Sequence, residues 1–134
     1  MPPTKPQSPG KPTRGQLKSM RVSDSFRDFV LDQLSAVPRL RPKVMFGGIG
    51  LYSDAVFFGI IAADVLYLKV DDTNRADYEA TGGRPFRPYA DKPMTMPYYD
   101  IAVSVLEDAS TLTAWAKKSI AITKSGKRVR RRSL

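Results

Sequence analysis

The run Val44-Met45-Phe46-Gly47-Gly48-Ile49-Gly50-Leu51-Tyr52-Ser53-Asp54-Ala55-Val56-Phe57-Phe58-Gly59-Ile60-Ile61-Ala62-Ala63-Asp64-Val65-Leu66-Tyr67-Leu68-Lys69-Val70 contains short stretches rich in β-branched and aromatic residues, broken by glycine or aspartate. That composition and that punctuation favour strands over helix. Residues 43–70 read as a three-strand meander. Val44-Met45-Phe46 leads through Gly47-Gly48 into Ile49 to Ser53, Asp54-Ala55 turns the chain into Val56 to Ala62, and Ala63-Asp64 turns it into Val65 to Val70. In the last strand Leu66, Leu68 and Val70 face one way, and Val65, Tyr67 and Lys69 the other. The first of these faces is wholly apolar, as expected of a sheet covered on one side.

Upstream, Ser23 or Ser25 can cap a helix whose apolar stripe is Phe26, Phe29, Val30, Leu34 and Val37, with Pro38 as its stop. Downstream, Asp71-Asp72 suits the start of a short helix from Thr73 to Ala80, ended by Gly82-Gly83. Pro85 and Pro88 restrict the next segment to an edge strand or loop, and residues 94–101 make a further strand. Asp108 or Ser110 opens a last helix that buries Leu112, Trp115, Ala116 and Ile120. The expected order is α-β-β-β-α-β-β-α. Strands joined by tight turns pair antiparallel, which gives a two-layer α+β domain with an antiparallel sheet and helices on one face.

Charge divides the chain into three. Residues 1–21 carry five basic residues and residues 124–134 carry six, with no acid in either end. The 102 residues between them hold 11 basic and 13 acidic residues, so the net charge of +9 belongs to the ends. The proline-rich segment 1–21 and the basic segment 124–134 read as disordered tails around a folded domain at 22–123. Cysteine and histidine are both absent. This excludes disulfides, thiolate metal sites, histidine-based catalysis and the common zinc sites. No catalytic residue, metal site or cofactor is expected. The start lacks the apolar stretch of a signal peptide, and the longest apolar run is too short to span a membrane. The expectation is a soluble, cytoplasmic protein without integral membrane association.

Met45-Phe46-Gly47-Gly48, Gly50-Leu51-Tyr52, Phe57-Phe58, Leu66-Tyr67-Leu68-Lys69, Asn74-Arg75 with Tyr78-Glu79, and Met96-Pro97-Tyr98-Tyr99 together resemble the TfoX N-terminal domain family, over about residues 40–122. The resemblance implies a compact α+β domain with an antiparallel sheet. It also implies a place among bacterial regulators of natural competence genes, which act as coactivators rather than enzymes. In those members a second, helical domain follows, and the expectation here is that it is lacking. The resemblance carries over no catalytic residue.

Individual motifs weigh toward structural roles. Gly47-Gly48-Ile49-Gly50 precedes a strand and lacks the Lys-Ser/Thr pair of a phosphate loop, so it reads as a turn or bulge. Gly59 marks a bulge or a close contact. Asp71-Asp72 reads as a cap, and Arg75 and Glu79 as a solvated pair. Tyr67, Lys69 and Tyr98 form a candidate interaction face, with alternation placing Tyr98 and Tyr99 on opposite sides.

Lys124, Lys127, Arg128, Arg130, Arg131 and Arg132 are candidate nucleic-acid contacts in the tail. The same tail can be drawn to anionic lipid, or can serve solubility alone. The leading expectation is a non-enzymatic regulatory or interaction module that contacts a protein partner or itself. The alternative is a nucleic-acid-associated protein that holds phosphate non-specifically through its basic tails. If about five tail residues pair with DNA phosphates, log K falls against log salt with a slope of roughly −4 to −5. Titration of labelled DNA at several salt concentrations measures it.

Overall fold

The computed structural model describes residues 20–87 and 96–132, with side chains as far as Gly126. Most of the proline-rich tail, the loop expected around Pro88 and the last two residues lie outside the described residues. Helix α1 (Asp24–Gln33) is followed by strands β1 (Leu40–Met45), β2 (Gly48–Ser53), β3 (Val56–Ala62) and β4 (Val65–Lys69). Helix α2 (Arg75–Ala80), strands β5 (Pro85–Phe86) and β6 (Met96–Asp100), and helices α3 (Val103–Leu106) and α4 (Ala109–Arg132) complete the chain. The six strands form one sheet in the order β1-β2-β3-β4-β6-β5, and every neighbouring pair is antiparallel.

Two hairpins are closed by two-residue turns with both φ angles positive. Phe46 and Gly47 (φ 51° and 84°) join β1 to β2, and Ala63 and Asp64 (52° and 59°) join β3 to β4. Such turns match the right-handed twist of the strands they connect. The meander therefore has four strands, where three are expected from sequence. Gly47 lies in a reversal with Phe46, and Val44-Met45 belong to the strand before it. Leu40-Arg41-Pro42-Lys43 escapes the β signal because it is basic, contains a proline and buries almost nothing.

A bulge in β3 shifts the register between Leu51 opposite Gly59 and Tyr52 opposite Phe57. Gly59 is needed there for space. A side chain would meet Leu68 Cδ2 at 2.8 Å and the Tyr67 carbonyl at 2.9 Å.

Residues from all four helices are buried over the same sheet face. Val30 and Leu34 from the first helical segment, Tyr78 from α2, Val105 from α3, and Leu112, Ala116 and Ile120 from α4 share one cluster with Ile49, Leu51, Phe58, Ile61, Leu66 and Leu68. The two-layer α+β architecture with helices on one face follows directly. The Ser23 hydroxyl accepts from the Phe26 amide at the start of α1. Asp108 receives both the amide and the hydroxyl of Thr111 at the start of α4.

Several local expectations are corrected. Helix α1 ends at Gln33, and turns carry the chain on to Pro38, so the proline closes a loop rather than the helix. Phe29 stays 39 % exposed, and Phe26 and Leu31 flank the buried stripe instead. Arg75 pairs with Asp72, one turn back, rather than with Glu79. Asp71 holds a turn ahead of α2 by accepting from the Thr73 amide and hydroxyl, while Asn74 occupies the cap position. The Thr73 hydroxyl keeps the Asp71 carboxyl below its ordinary range. Arginine and lysine favour helix, and the backbone of α4 runs on through the segment expected to be disordered, as far as Arg132. At the other end Met20 belongs with the fold: its carbonyl accepts from the Ala63 amide and its side chain packs beside Gly47 and Gly48.

Gly59→Ala is expected to destabilise the domain by about 1–3 kcal/mol through overpacking. Gly126→Ala, which has open space around its Cβ, should raise helicity without cost to the core. Urea melts followed by circular dichroism read both.

Candidate functional site

The sheet face turned away from the helices carries a band of aromatic side chains. β3 places Phe57 and Ile60 there, β4 places Tyr67 and Lys69, and β6 places Tyr98 and Asp100. The Tyr52 ring lies 5.1 Å from that of Phe57, and Phe57 lies 5.6 Å from Tyr98. Tyr67 lies 4.8 Å from Phe86 of β5. Lys69 and Tyr98 are direct cross-strand partners, and the Lys69 ammonium sits 5.3 Å over the Tyr98 ring centre. Tilted rings at these separations add modest attraction beyond buried area, and the cation adds a further contribution.

The three residues read from sequence as a candidate face therefore stand together on one side of the sheet. Tyr99 points the other way, opposite Leu68, and packs with Tyr78 among the helices. The accessibility of the three is limited. Tyr98 is only 7 % exposed, and both Phe57 and the Lys69 ammonium pack near its ring. A ring held in this way has no open face on which a nucleic-acid base can stack.

Beside this band runs the edge of the sheet. β1 pairs with β2 alone, and Arg41, Pro42, Lys43 and Val44 are all exposed. Val44 and Phe46 are 77 % and 81 % exposed, the most solvent-accessible large apolar side chains among the described residues. Arg41 and Lys43 lie opposite Tyr52 and Gly50, so their side chains leave β1 on the open face. They line an open groove of about 480 Å³ together with Tyr52, Asp54 and Ala55. Arg39, just before the strand, is already paired with Asp54 at 2.6 Å. These residues were not singled out from sequence. The signal available was Pro42 between two cations, a composition typical of edge strands.

The tail cations are distributed along a helix. Lys124 is exposed on α4, near Lys117 and the Arg39–Asp54 pair. Lys127, Arg128, Arg130, Arg131 and Arg132 lie on the helical backbone, beyond the described side chains. Among the described residues no group of three or more acidic side chains is placed to hold a metal ion, and no helix is long and apolar enough to cross a membrane.

Three phenols are perturbed. Burial raises Tyr67 and the Asp100 charge raises it further; burial, then Tyr52, raises Tyr98. Burial pushes Tyr78 furthest, against the opposing pull of nearby Ser119. The Tyr78 hydroxyl reaches no hydrogen-bond partner among the described residues, and the nearby Ser119 hydroxyl donates to the Lys69 carbonyl at 2.8 Å.

In each case the folded state favours the neutral phenol. The resulting stability is complete below the ordinary value of 10.0 and is lost as pH climbs through the raised values. Tyr78→Phe should therefore leave stability at neutral pH unchanged, or raise it by up to about 1 kcal/mol, since it removes an unpaired polar group. It should also flatten the decline above pH 10.0. Denaturant melts across neutral and alkaline pH check both.

A comparison with curated proteins finds no match. The pattern of the TfoX N-terminal domain matches residues 32–122, from the end of α1 through the core-packed part of α4. With two-thirds of its length matched and the antiparallel α+β fold in place, the chain belongs to the TfoX N-terminal domain family, a competence-regulator-like family of domains.

Proposed function

We propose that this chain is a non-enzymatic regulatory module of the cytoplasm, which works by holding a protein partner along the free β1 edge of the sheet. The observation carrying this reading is the exposure of Val44 and Phe46 at the end of an edge strand, next to the aromatic band of Tyr52, Phe57, Tyr67 and Tyr98. Exposed apolar groups rimmed by Arg41 and Lys43 cost free energy in water and are regained on contact with a partner. The chain has neither cysteine nor histidine, so the usual nucleophile–base pairs are not available to it.

The basic tail plays a secondary part. Its cations give weak, salt-sensitive attraction to any polyanion, and nothing in their spacing reads bases.

A photo-crosslinking residue in place of Phe46 tests the reading in living cells. Discrete protein adducts are expected at position 46, and none from the same probe at Glu79, which is exposed on α2 in the helical layer. Equal adducts at both positions, or none at 46, would overturn it. Adducts to nucleic acid rather than protein would favour the phosphate-binding alternative.

A further inference from the structure

The outer edge of β1 is built to accept one more strand, and its chemistry specifies which kind. The two-residue turn at Phe46-Gly47 makes Met45 and Gly48 a hydrogen-bonded pair, and the Asp54 amide donates to the Arg39 carbonyl at the far end of the hairpin. Antiparallel pairs alternate, so Arg39, Arg41, Lys43 and Met45 direct their backbone groups into the sheet. Leu40, Pro42 and Val44 direct theirs outward. The free edge thus offers amides at Leu40 and Val44 and carbonyls at Leu40, Pro42 and Val44, with a donor missing at the proline.

Side chains divide by the same alternation. Arg41 and Lys43 lie on the open face, in the groove with Tyr52, and neither has an acidic partner among the described residues. Val44 lies on the opposite face and is 77 % exposed. Resting on the interaction role assigned above, we propose that this edge takes an extended acidic peptide as a seventh strand, with acidic side chains on the Arg41–Lys43 side and apolar ones beside Val44.

Charge excludes the nearest rivals. A second copy paired edge to edge about a twofold axis would set Arg41 and Lys43 against their own counterparts, and like charges across a strand pair are destabilising. The chain's first nineteen residues carry Lys5, Lys11, Arg14 and Lys18 and no acid, so they meet the same repulsion. An alternating acidic strand meets none. Its main-chain bonds supply affinity, and the groove supplies selectivity.

The test uses the full chain and a fluorescein-labelled peptide of about ten residues in which glutamate alternates with valine or threonine. One control peptide carries lysine for glutamate. A second has the same composition, with its glutamates gathered at one end. Fluorescence anisotropy should show binding of the alternating acidic peptide only. Amide exchange at Leu40 and Val44 should slow on its addition.

Val44→Pro removes an outward donor and replaces the apolar side chain beside it, and should weaken binding about three- to tenfold. The double variant Arg41→Glu with Lys43→Glu should transfer binding to the lysine peptide, which keeps the site testable if the proline variant misfolds. Equal binding of the gathered-glutamate peptide would show charge without strand addition and would overturn the proposal, as would no binding. A dimer by light scattering, with Leu40 and Val44 protected before any peptide is added, would assign the edge to a second copy. Failed peptide binding with retained adducts at position 46 would sink strand addition alone. Retained peptide binding without those adducts would sink the cellular partner role instead.

Discussion

Every other part of this domain depends on the burial of one sheet face beneath α4. Leu112, Ala116 and Ile120 lie along that helix at intervals of four, and meet Phe58, Ile61, Leu66 and Leu68 from the two central strands. Each fully buried side chain of this size contributes roughly 1.5–3 kcal/mol relative to exposure. The sheet's own hydrogen bonds hold strands together but do not say which side faces water; the helix does. Once α4 is seated, the alternation of the strands sends Tyr67, Lys69 and Tyr98 to the opposite side. The surface chemistry is thus a by-product of the core, fixed in register by it.

The two layers are also joined by polar links. Ser119 is fully buried in the middle of the apolar stripe, and its hydroxyl donates to the Lys69 carbonyl at 2.8 Å. Thr123, one turn on, reaches back toward the Phe57 carbonyl at 3.4 Å. From Lys124 to Gly126 the residues are exposed, so α4 passes there from buried to exposed positions after its last core residue, Ile120. The charge asymmetry of the sequence coincides with this change.

Where burial is complete, the sequence could be read directly. The alternation of Val65 to Val70, the stripe of Leu112, Trp115, Ala116 and Ile120, and the turn at Ala63-Asp64 all follow from residues that must choose between core and water. The hidden parts are those where burial decides little. β1 shows only Leu40 and Met45 partly buried, so pattern gave no reason to count it as a strand. Helix α3 is a single turn at Val103–Leu106, too short to leave a period. The candidate face was legible as a set of residues, because strand alternation places Tyr98 with Tyr67. The depth of Tyr98, however, depends on Phe57 and Lys69 closing over it, which no local pattern encodes. The edge cations were visible as letters but had no meaning until the strand beside them was known.

One detail bears on how such a domain can diversify. Lys69 is held from the helical side entirely through its main-chain oxygen, which receives both the Ser119 hydroxyl and the Asn74 side-chain amide. A peptide oxygen is the same whatever side chain it accompanies. Residue 69 can therefore be exchanged for another, and the outward chemistry rewritten, while the clasp beneath stays shut. A substitution at position 69 alters the covering of Tyr98 on the open face and leaves the Ser119 and Asn74 bonds in place.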